Sequence, residues 1–508
     1  MLGQVKSCGL SGINGYPVEI EVDLSVGLPS YDTVGLPDAV VRESKERVRS
    51  AIINSKLNYP DGRLIINLAP AATKKVGSVY DLPIALGILA ANQIIPKSAL
   101  KDTVVFGELA LNGDVRPVYG VLPMALCARS MGCKKLILPE ANAAEASHIS
   151  DIEVIPVKNL TQTCKFLLHR SKISPLKAED WNPDTYSALV DFSDIKGQQG
   201  AKRAAIVAAS GGHNLLMVGA PGTGKTMIAK GIPGILPRLT FEEALEVTKI
   251  HSVVNMLEGR SGIITQRPFR SPHHSASSVS LVGGSSNASP GEVSLAHLGV
   301  LFLDEFPEFK KDVMEALREP IEDGKITITR AAAKATYPAD FMLVAAMNPC
   351  PCGYFGSRQK PCTCSRYQVK SYLQRISGPM LDRIDIHVEM SEVTYSEMTS
   401  NVQLETSESI RSKIENARAI QKNRYKNEGI MINAQLPPGL VKKYCLPDEN
   451  GAKLIRRAMD VQALSPRAYD RVLKVARTVA DLEGSTTVSS IHIAEAIQYR
   501  NVISKYWI

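Results

Sequence analysis

Gly219-Ala220-Pro221-Gly222-Thr223-Gly224-Lys225-Thr226 decides how this chain is read. The stretch follows Leu215-Leu216-Met217-Val218 and leads into Met227-Ile228-Ala229-Lys230, so it reads as strand, glycine-rich turn and helix. A phosphate chain packed against backbone needs residues without side chains in the way. Gly219, Gly222 and Gly224 supply them, interleaved with Pro221 and Thr223, and leave amide N–H groups pointing inward at a helix N-terminus. Lys225 is placed to reach the outer phosphates of ATP, and the Thr226 hydroxyl to ligate Mg²⁺. The alternative is a tight loop that is glycine-rich for its own sake.

Downstream, Val300-Leu301-Phe302-Leu303-Asp304-Glu305 is four apolar residues ending in two acids. That pattern suits a central parallel strand whose C-terminal end faces the nucleotide. Asp304 is then expected to hold Mg²⁺ through water, and Glu305 to polarise the water that attacks the γ-phosphate. A solvated strand end is the alternative. A second apolar strand, Phe341 to Ala346, ends at Met347-Asn348-Pro349.

Composition bounds the rest. At 508 residues the chain has room for roughly three or four domains. Hydrophobic content of 44% and charged content of 22% are ordinary for globular protein. A net charge of +8 permits an anionic polymer as partner without demanding one. The start, Met1-Leu2-Gly3-Gln4-Val5-Lys6, lacks a secretory layout, and the longest apolar run, Leu82 to Ile95, is too short to span a bilayer and reads as a buried helix. A cytoplasmic protein without a membrane partner is the expectation.

Residues 1–170 read as an α/β or α+β domain, with Val18 to Leu24 alternating as a half-buried strand and Arg63 to Leu68 as a second. Helices are expected at 39–55, 81–92 and 120–131. Residues 171–190, with Pro175, Asn182, Pro183 and Asp184, read as a linker. Beyond it, 191–395 form the nucleotide-binding core and 396–508 a helical region. In the latter, Ile410, Ile414, Ala417 and Ile420 are placed on one face of a helix over 407–427. Ser465-Pro466 caps a helix that stops before Gly484, and Ser489 or Ser490 caps another.

Three further stretches carry chemistry. Met314, Leu317 and Ile321 share a helix face, after which Asp323-Gly324 reads as a hairpin turn into Lys325-Ile326-Thr327-Ile328-Thr329-Arg330. Arg267-Pro268-Phe269-Arg270-Ser271-Pro272-His273-His274, followed by a small-residue run from Ser275 to Pro290, offers either a histidine metal site or a loop packed at a pore or subunit interface. The nine cysteines are not arranged as a secreted disulfide framework. Four of them, Cys350, Cys352, Cys362 and Cys364, form two tight pairs across the loop 350–364 and suggest tetrahedral zinc, with reduced or redox-active thiols as the alternative.

The chain resembles the magnesium-chelatase-like AAA+ ATPases called the ComM/YifB family. The resemblance rests on Pro70 to Pro83 and Gly107 to Val118, which look like the Lon-protease domain, and on Arg267 to His274, and it covers nearly the whole chain. It implies an α/β multidomain protein: a Lon-like α+β domain, an AAA+ core of parallel sheet flanked by helices, and a chelatase-type helical lid. Asp81 falls where the Lon serine would be and Met124 where its lysine would be, so the domain resembles a retired protease kept as a binding or assembly module. A shifted dyad of Ser78 with Lys74 or Lys75 stays open.

Further roles follow from the same resemblance. Asp191 to Gln198 corresponds to the segment that cradles adenine, with Gln198 toward the nucleotide, and Asn348 to the polar sensor that positions attacking water. Arg383, in Leu381-Asp382-Arg383-Ile384-Asp385, corresponds to a finger reaching the neighbouring subunit's γ-phosphate, with an intrachain ion pair as the alternative. Arg467 corresponds to the second sensor arginine of the lid. Lys325, Arg330 and Lys334 would line a pore and meet a phosphate backbone, or else form a solvated basic hairpin. Family membership implies a homohexameric ring that acts on single-stranded or branched DNA as a branch-migration helicase in recombination during natural transformation. A metal-chelatase subunit, although no porphyrin is expected as partner, and a protein remodeller or protease are the competing readings.

Overall fold

Between Val18 and Leu24 the alternation produces a strand with Val18, Ile20 and Val22 buried and Glu19 exposed. The strand, Asn14–Ser25, sits inside a seven-stranded mixed sheet in a computed structural model that describes residues 1–177, 181–182, 190–257, 262–284, 288–330, 333–357, 360–399, 404–462 and 465–506. Across that sheet the order is Ser30–Val34, Arg63–Ala69, Asn14–Ser25, Leu2–Ser11, Thr103–Val105, Lys135–Pro139 and Glu153–Val157. Helices Ala39–Asn54, Asp81–Ala91 and Val121–Ser130 fall where the periodicity predicts them. Every residue of Asp81–Ala91 is buried, which is why that run is apolar on all sides. No helix among the described residues is long and apolar enough to cross a membrane.

The chain divides into two compact units, residues 1–182 with 241–264 and residues 183–240 with 265–508. The second part of the first unit, 241–264, lies within the span 191–395 expected for the core. Helix Phe241–Val253 packs on Val121–Ser130, where the Ser252 carbonyl accepts from the Gly120 amide at 3.1 Å and the Ser252 hydroxyl donates to the buried Glu145 carboxylate. Of the expected linker, 178–180 and 183–189 lie outside the described residues, as do 285–287 of the small-residue run.

In the second unit, Leu215–Gly219, Val300–Leu303 and Met342–Met347 are buried along their whole length, as parallel strands covered on both faces must be. The sheet order is Phe269–Arg270, Val300–Leu303, Met342–Met347, Leu215–Gly219 and Ile386–Met390, with every neighbouring pair parallel. Its register pairs Val218 with Met347 and Leu303 with Ala345. The C-terminal ends of three strands, carrying Gly219, Asp304 and Asn348, therefore meet at one edge, where open α/β sheets hold ligands.

Helices Ser407–Tyr425, Pro438–Tyr444, Glu449–Gln462, Pro466–Leu482 and Ser490–Gln498 follow the sheet. Ser465 caps Pro466–Leu482 as expected, accepting the Ala468 amide at 3.2 Å. One face assignment is corrected: Ile410, Ile414 and Ala417 are buried, but Ile420 is 39% exposed and Gln421 takes its place. Positions 410, 414, 417 and 421 follow the 3.6-residue repeat, and 420 lies about 100° off it. Buried Gln421 satisfies its amide on the Ser210 carbonyl at 3.1 Å and the Asn433 amide at 2.9 Å.

Asp323-Gly324 is a second correction. Gly324, at φ +62°, closes helix Arg318–Asp323 as a left-handed cap and is not the hairpin turn. The hairpin itself pairs Lys325–Arg330 with Ala333–Pro338, and its connection, 331–332, lies outside the described residues.

Candidate nucleotide site

Gly222 and Gly224 take φ of +80° and +88°, and a Cβ at either position would meet nothing within 4 Å, so backbone conformation and not crowding requires glycine there. The loop they shape delivers Lys225 and Thr226 to the first turn of helix Lys225–Ile235. The Lys225 ammonium donates to the Gly219 carbonyl at 2.7 Å, the Ala220 carbonyl at 2.9 Å and Asn348 Oδ1 at 3.1 Å. Burial lowers its pKa, and the negative charge of Asp304 works the other way.

The Thr226 hydroxyl donates to Asp304 Oδ2 at 3.2 Å, and the Glu305 amide to Asp304 Oδ1 at 2.9 Å. Hydroxyl and carboxylate oxygens side by side are a hard donor set of the kind Mg²⁺ takes. Glu305 is the first residue past the strand end to adopt a left-handed backbone, φ +53°, which turns its carboxylate away from the strand axis. Its Oε2 lies 2.9 Å from His274 Nδ1.

That pairing locates the Arg267-to-His274 stretch. Arg267 donates to the carbonyl of Leu298 at 2.7 Å and also to that of Pro237, while Arg270 grips Glu292 with two bonds at 2.6 and 2.7 Å. These anchors seat Phe269–Arg270 beside Val300–Leu303 and carry His274 to Glu305. His273 bonds Ser275 Oγ at 2.8 Å. Among the described residues the two histidines belong to no cluster of three or more metal-ligating side chains.

Gln198 stands behind the phosphate loop. Its side-chain amide donates to the Thr223 carbonyl at 2.9 Å and to the Ser391 carbonyl, so it props the loop. Neither His274 nor this role of Gln198 has a signature in the sequence beyond the motifs that contain them.

The candidate finger Arg383 and the candidate sensor Arg467 lie elsewhere. Arg383 pairs with Glu322 at 2.6 Å and donates to the Pro379 carbonyl at 2.8 Å, so within one chain the ion-pair alternative holds. Its Nε is buried with no hydrogen-bond partner among the described residues. Arg383 and the exposed Arg467 both line a cavity of about 680 Å³ whose wall includes none of Lys225, Thr226, Asp304 or Glu305. Arg471 in the same wall pairs with Asp385, whose carboxyl, despite burial, is held well below the usual range by Arg471 and His213.

On the hairpin, Ile326, Ile328, Ala335 and Tyr337 are buried, whereas Lys325, Thr327, Thr329, Lys334 and Thr336 are exposed. Thr329 faces Lys334 near the connection, while Lys325 faces Pro338 at the opposite end, about 14 Å away along the strand. Arg330 and Lys334 thus sit at the connection end and Lys325 at the other, so the three cations do not form one patch. Arg330 donates to the Gly284 carbonyl at 2.8 Å.

Among the described residues of the first unit, Ser78 is not hydrogen-bonded to a lysine amine. Ser78 donates to Glu108, and Lys75 to the carbonyls of Pro70 and Thr73. Asp81 is buried against Arg47 at 2.8 and 3.0 Å, and Met124 is buried.

Residues 191–398 match the family described as magnesium chelatase, subunit ChlI; residues 20–142 match subunit ChlI of Mg-chelatase, and 404–500 its C-terminal part. Competence protein ComM of Haemophilus influenzae is 43% identical over 509 residues, spanning 99% of this chain and 98% of its own. The YifB protein of Escherichia coli is 42% identical over 492 residues, 97% of this chain and 95% of its own. A Lon protease of Rhizobium meliloti is 28% identical over 211 residues, 39% of this chain and 25% of its own. With relatives of this identity along the full length, the chain belongs to the ComM/YifB family of magnesium-chelatase-like AAA+ ATPases.

Proposed function

We propose that this protein hydrolyses ATP as a ring of identical subunits in the cytoplasm and uses the turnover to move along DNA, promoting branch migration in recombination. The observation that carries the reading is the convergence of Lys225, Thr226, Asp304, Glu305 and Asn348 at one edge of a parallel sheet. Lys225 neutralises the outer phosphates, and the amides of Gly222 to Thr226 cradle the chain. Thr226 and Asp304 would hold Mg²⁺, which supplies positive charge to the phosphate oxygens. Glu305 accepts the proton of the attacking water, and Asn348 aligns that water opposite Lys225. Arg383, once released from Glu322, reaches the neighbouring subunit's γ-phosphate, with Arg467 beside it in the same cavity wall.

DNA as the load is supported by the exposed lysine and threonine face of the hairpin, the net charge of +8 and the competence protein among the full-length relatives. The test is steady-state ATPase with single-stranded, duplex and branched DNA across a salt series, with Glu305→Gln as blank. Stimulation that falls steeply as salt is raised is the expected result. No stimulation on any DNA overturns the load and leaves the ATPase. The match to chelatase subunits favours one second reading, a chelatase motor, which requires a porphyrin-loaded partner to raise the ATPase rate. A protease reading loses support from Ser78, whose hydroxyl donates to the Glu108 carboxylate and not to a lysine amine.

A further inference from the structure

Cys350, Cys352, Cys362 and Cys364 bring their sulfurs within 4.8 Å of one another, with Sγ separations of 3.3 Å for 350–352, 3.7 Å for 350–362 and 3.6 Å for 352–362. Sulfurs bonded at about 2.3 Å to a tetrahedral zinc lie about 3.8 Å apart. A disulfide holds them at about 2.05 Å, so these are four free thiols gathered at metal spacing. Backbone amides complete the picture: Phe355 N–H points at Cys350 Sγ at 3.3 Å and Cys364 N–H at Cys362 Sγ at 3.4 Å. Such donors stabilise thiolate charge, which four neutral thiols do not require. No acid or histidine joins the group among the described residues, and an all-sulfur set favours zinc over Mg²⁺.

The cluster adjoins the nucleotide site. Cys350 follows Asn348 by two residues, and Asn348 accepts from the Lys225 ammonium. Gly353, at φ +86°, lies so close to the phosphate loop that a Cβ there would stand 2.6 Å from Pro221 Cδ. Among the described residues of this turn, the Gly353 amide donates to the Cys350 carbonyl and the Ser357 amide to the Tyr354 carbonyl, each at 3.0 Å.

We propose that the four cysteines bind a Zn²⁺ ion that clamps Asn348 and Gly353 against the phosphate loop, making ATP turnover depend on a metal that never touches the nucleotide. Binding converts the thiols to thiolates and releases their protons to solvent, with no change of oxidation state. The metal site stands on the cysteine geometry alone; the dependence of turnover rests on the ATPase reading.

The experiment uses the full chain. Metal content is measured by mass spectrometry, and cobalt is substituted for zinc to read the visible spectrum of a tetrahedral thiolate complex. About one zinc per chain is expected, retained in Cys364→His because three cysteines and a histidine form an ordinary zinc set, and lost in the double variant Cys362→Ser with Cys364→Ser. Steady-state ATPase is expected to fall at least about tenfold in the double variant. Wild-type protein stripped by chelator and reloaded with zinc separates metal loss from misfolding: turnover should fall and return. Wild-type protein that carries no zinc and gives no tetrahedral cobalt spectrum overturns the site. Zinc-free protein with an undiminished ATPase rate overturns the clamp. Zinc-loaded wild-type protein with no ATPase activity on any substrate keeps the site, and removes the clamp together with the proposed function.

Discussion

Lys225 shares its ammonium among the Gly219 and Ala220 carbonyls and Asn348, a cradle of oxygens that a phosphate can replace. Lys225→Ala is expected to abolish nucleotide binding, read with a fluorescent ATP analogue. Glu305→Gln should bind that analogue normally and lower kcat at least about a hundredfold, the contribution of a positioned general base. His274 adds a third test at this scale. A carboxylate oxygen that accepts the imidazole N–H at 2.9 Å is less free to turn toward water. His274→Ala should therefore raise the DNA-free ATPase rate about threefold, while His274→Asn, which keeps a donor near the Nδ1 position, should stay near wild type. A lower rate in His274→Ala would mean that the imidazole aligns Glu305 and does not restrain it.

Elements show where a single turn of helix decides the outcome. Ile414 is fully buried and Ile420 is 39% exposed, though both sit on helix Ser407–Tyr425. Ile414→Ala is expected to cost about 2–5 kcal/mol and Ile420→Ala no more than about 0.5 kcal/mol, compared by denaturant midpoints under circular dichroism. Gly324 tests the helix cap. A Cβ there would meet only Asp340 Cβ at 3.8 Å, so Gly324→Ala carries the backbone cost of φ +62° alone, about 1 kcal/mol. Equal losses at 414 and 420 would refute the burial assignment.

At the scale of the whole molecule, one buried group in each unit responds to acid with opposite sign. In the first, burial pushes Asp81 up to about 6 although Arg47 pulls it down. Between about pH 6 and 4 the folded unit binds this proton more tightly than the unfolded chain, so the Asp81 contribution to stability grows as pH falls. In the second unit, burial and then the Arg500 charge push His387 well below 6.5. The unfolded chain takes up that proton first, so stability is lost as pH falls below about 6.5. Acidification from pH 7 to 5 should lower the melting transition of the second unit relative to the first, followed by limited proteolysis with fragment mass analysis at each temperature. Assembly is the other property of this scale. If Arg383 acts across a subunit boundary, Arg383→Ala lowers ATPase at concentrations where mass photometry shows rings, and Glu322→Gln, which removes its intrachain partner, does not.

The sequence by itself determined the strand-loop-helix around Lys225, the apolar strands ending at Asp304 and Asn348, and the cap at Ser465. Each depends on residues within a few positions of one another: glycines that accept positive φ, four apolar residues in a row, a serine before a proline. Family resemblance then extended the reading along the full length. What only the tertiary structure decided are contacts between distant positions: His274 on Glu305, Gln198 under Thr223, Gly353 on Pro221, and the return of residues 241–264 to the first unit. Asp323-Gly324 shows the limit most plainly, since the same dipeptide suits a hairpin turn or a helix cap, and packing of Met314 and Leu317 in the core selected the cap. Local propensities are worth tenths of a kcal/mol each and long-range burial several, so where the two compete the packed core decides.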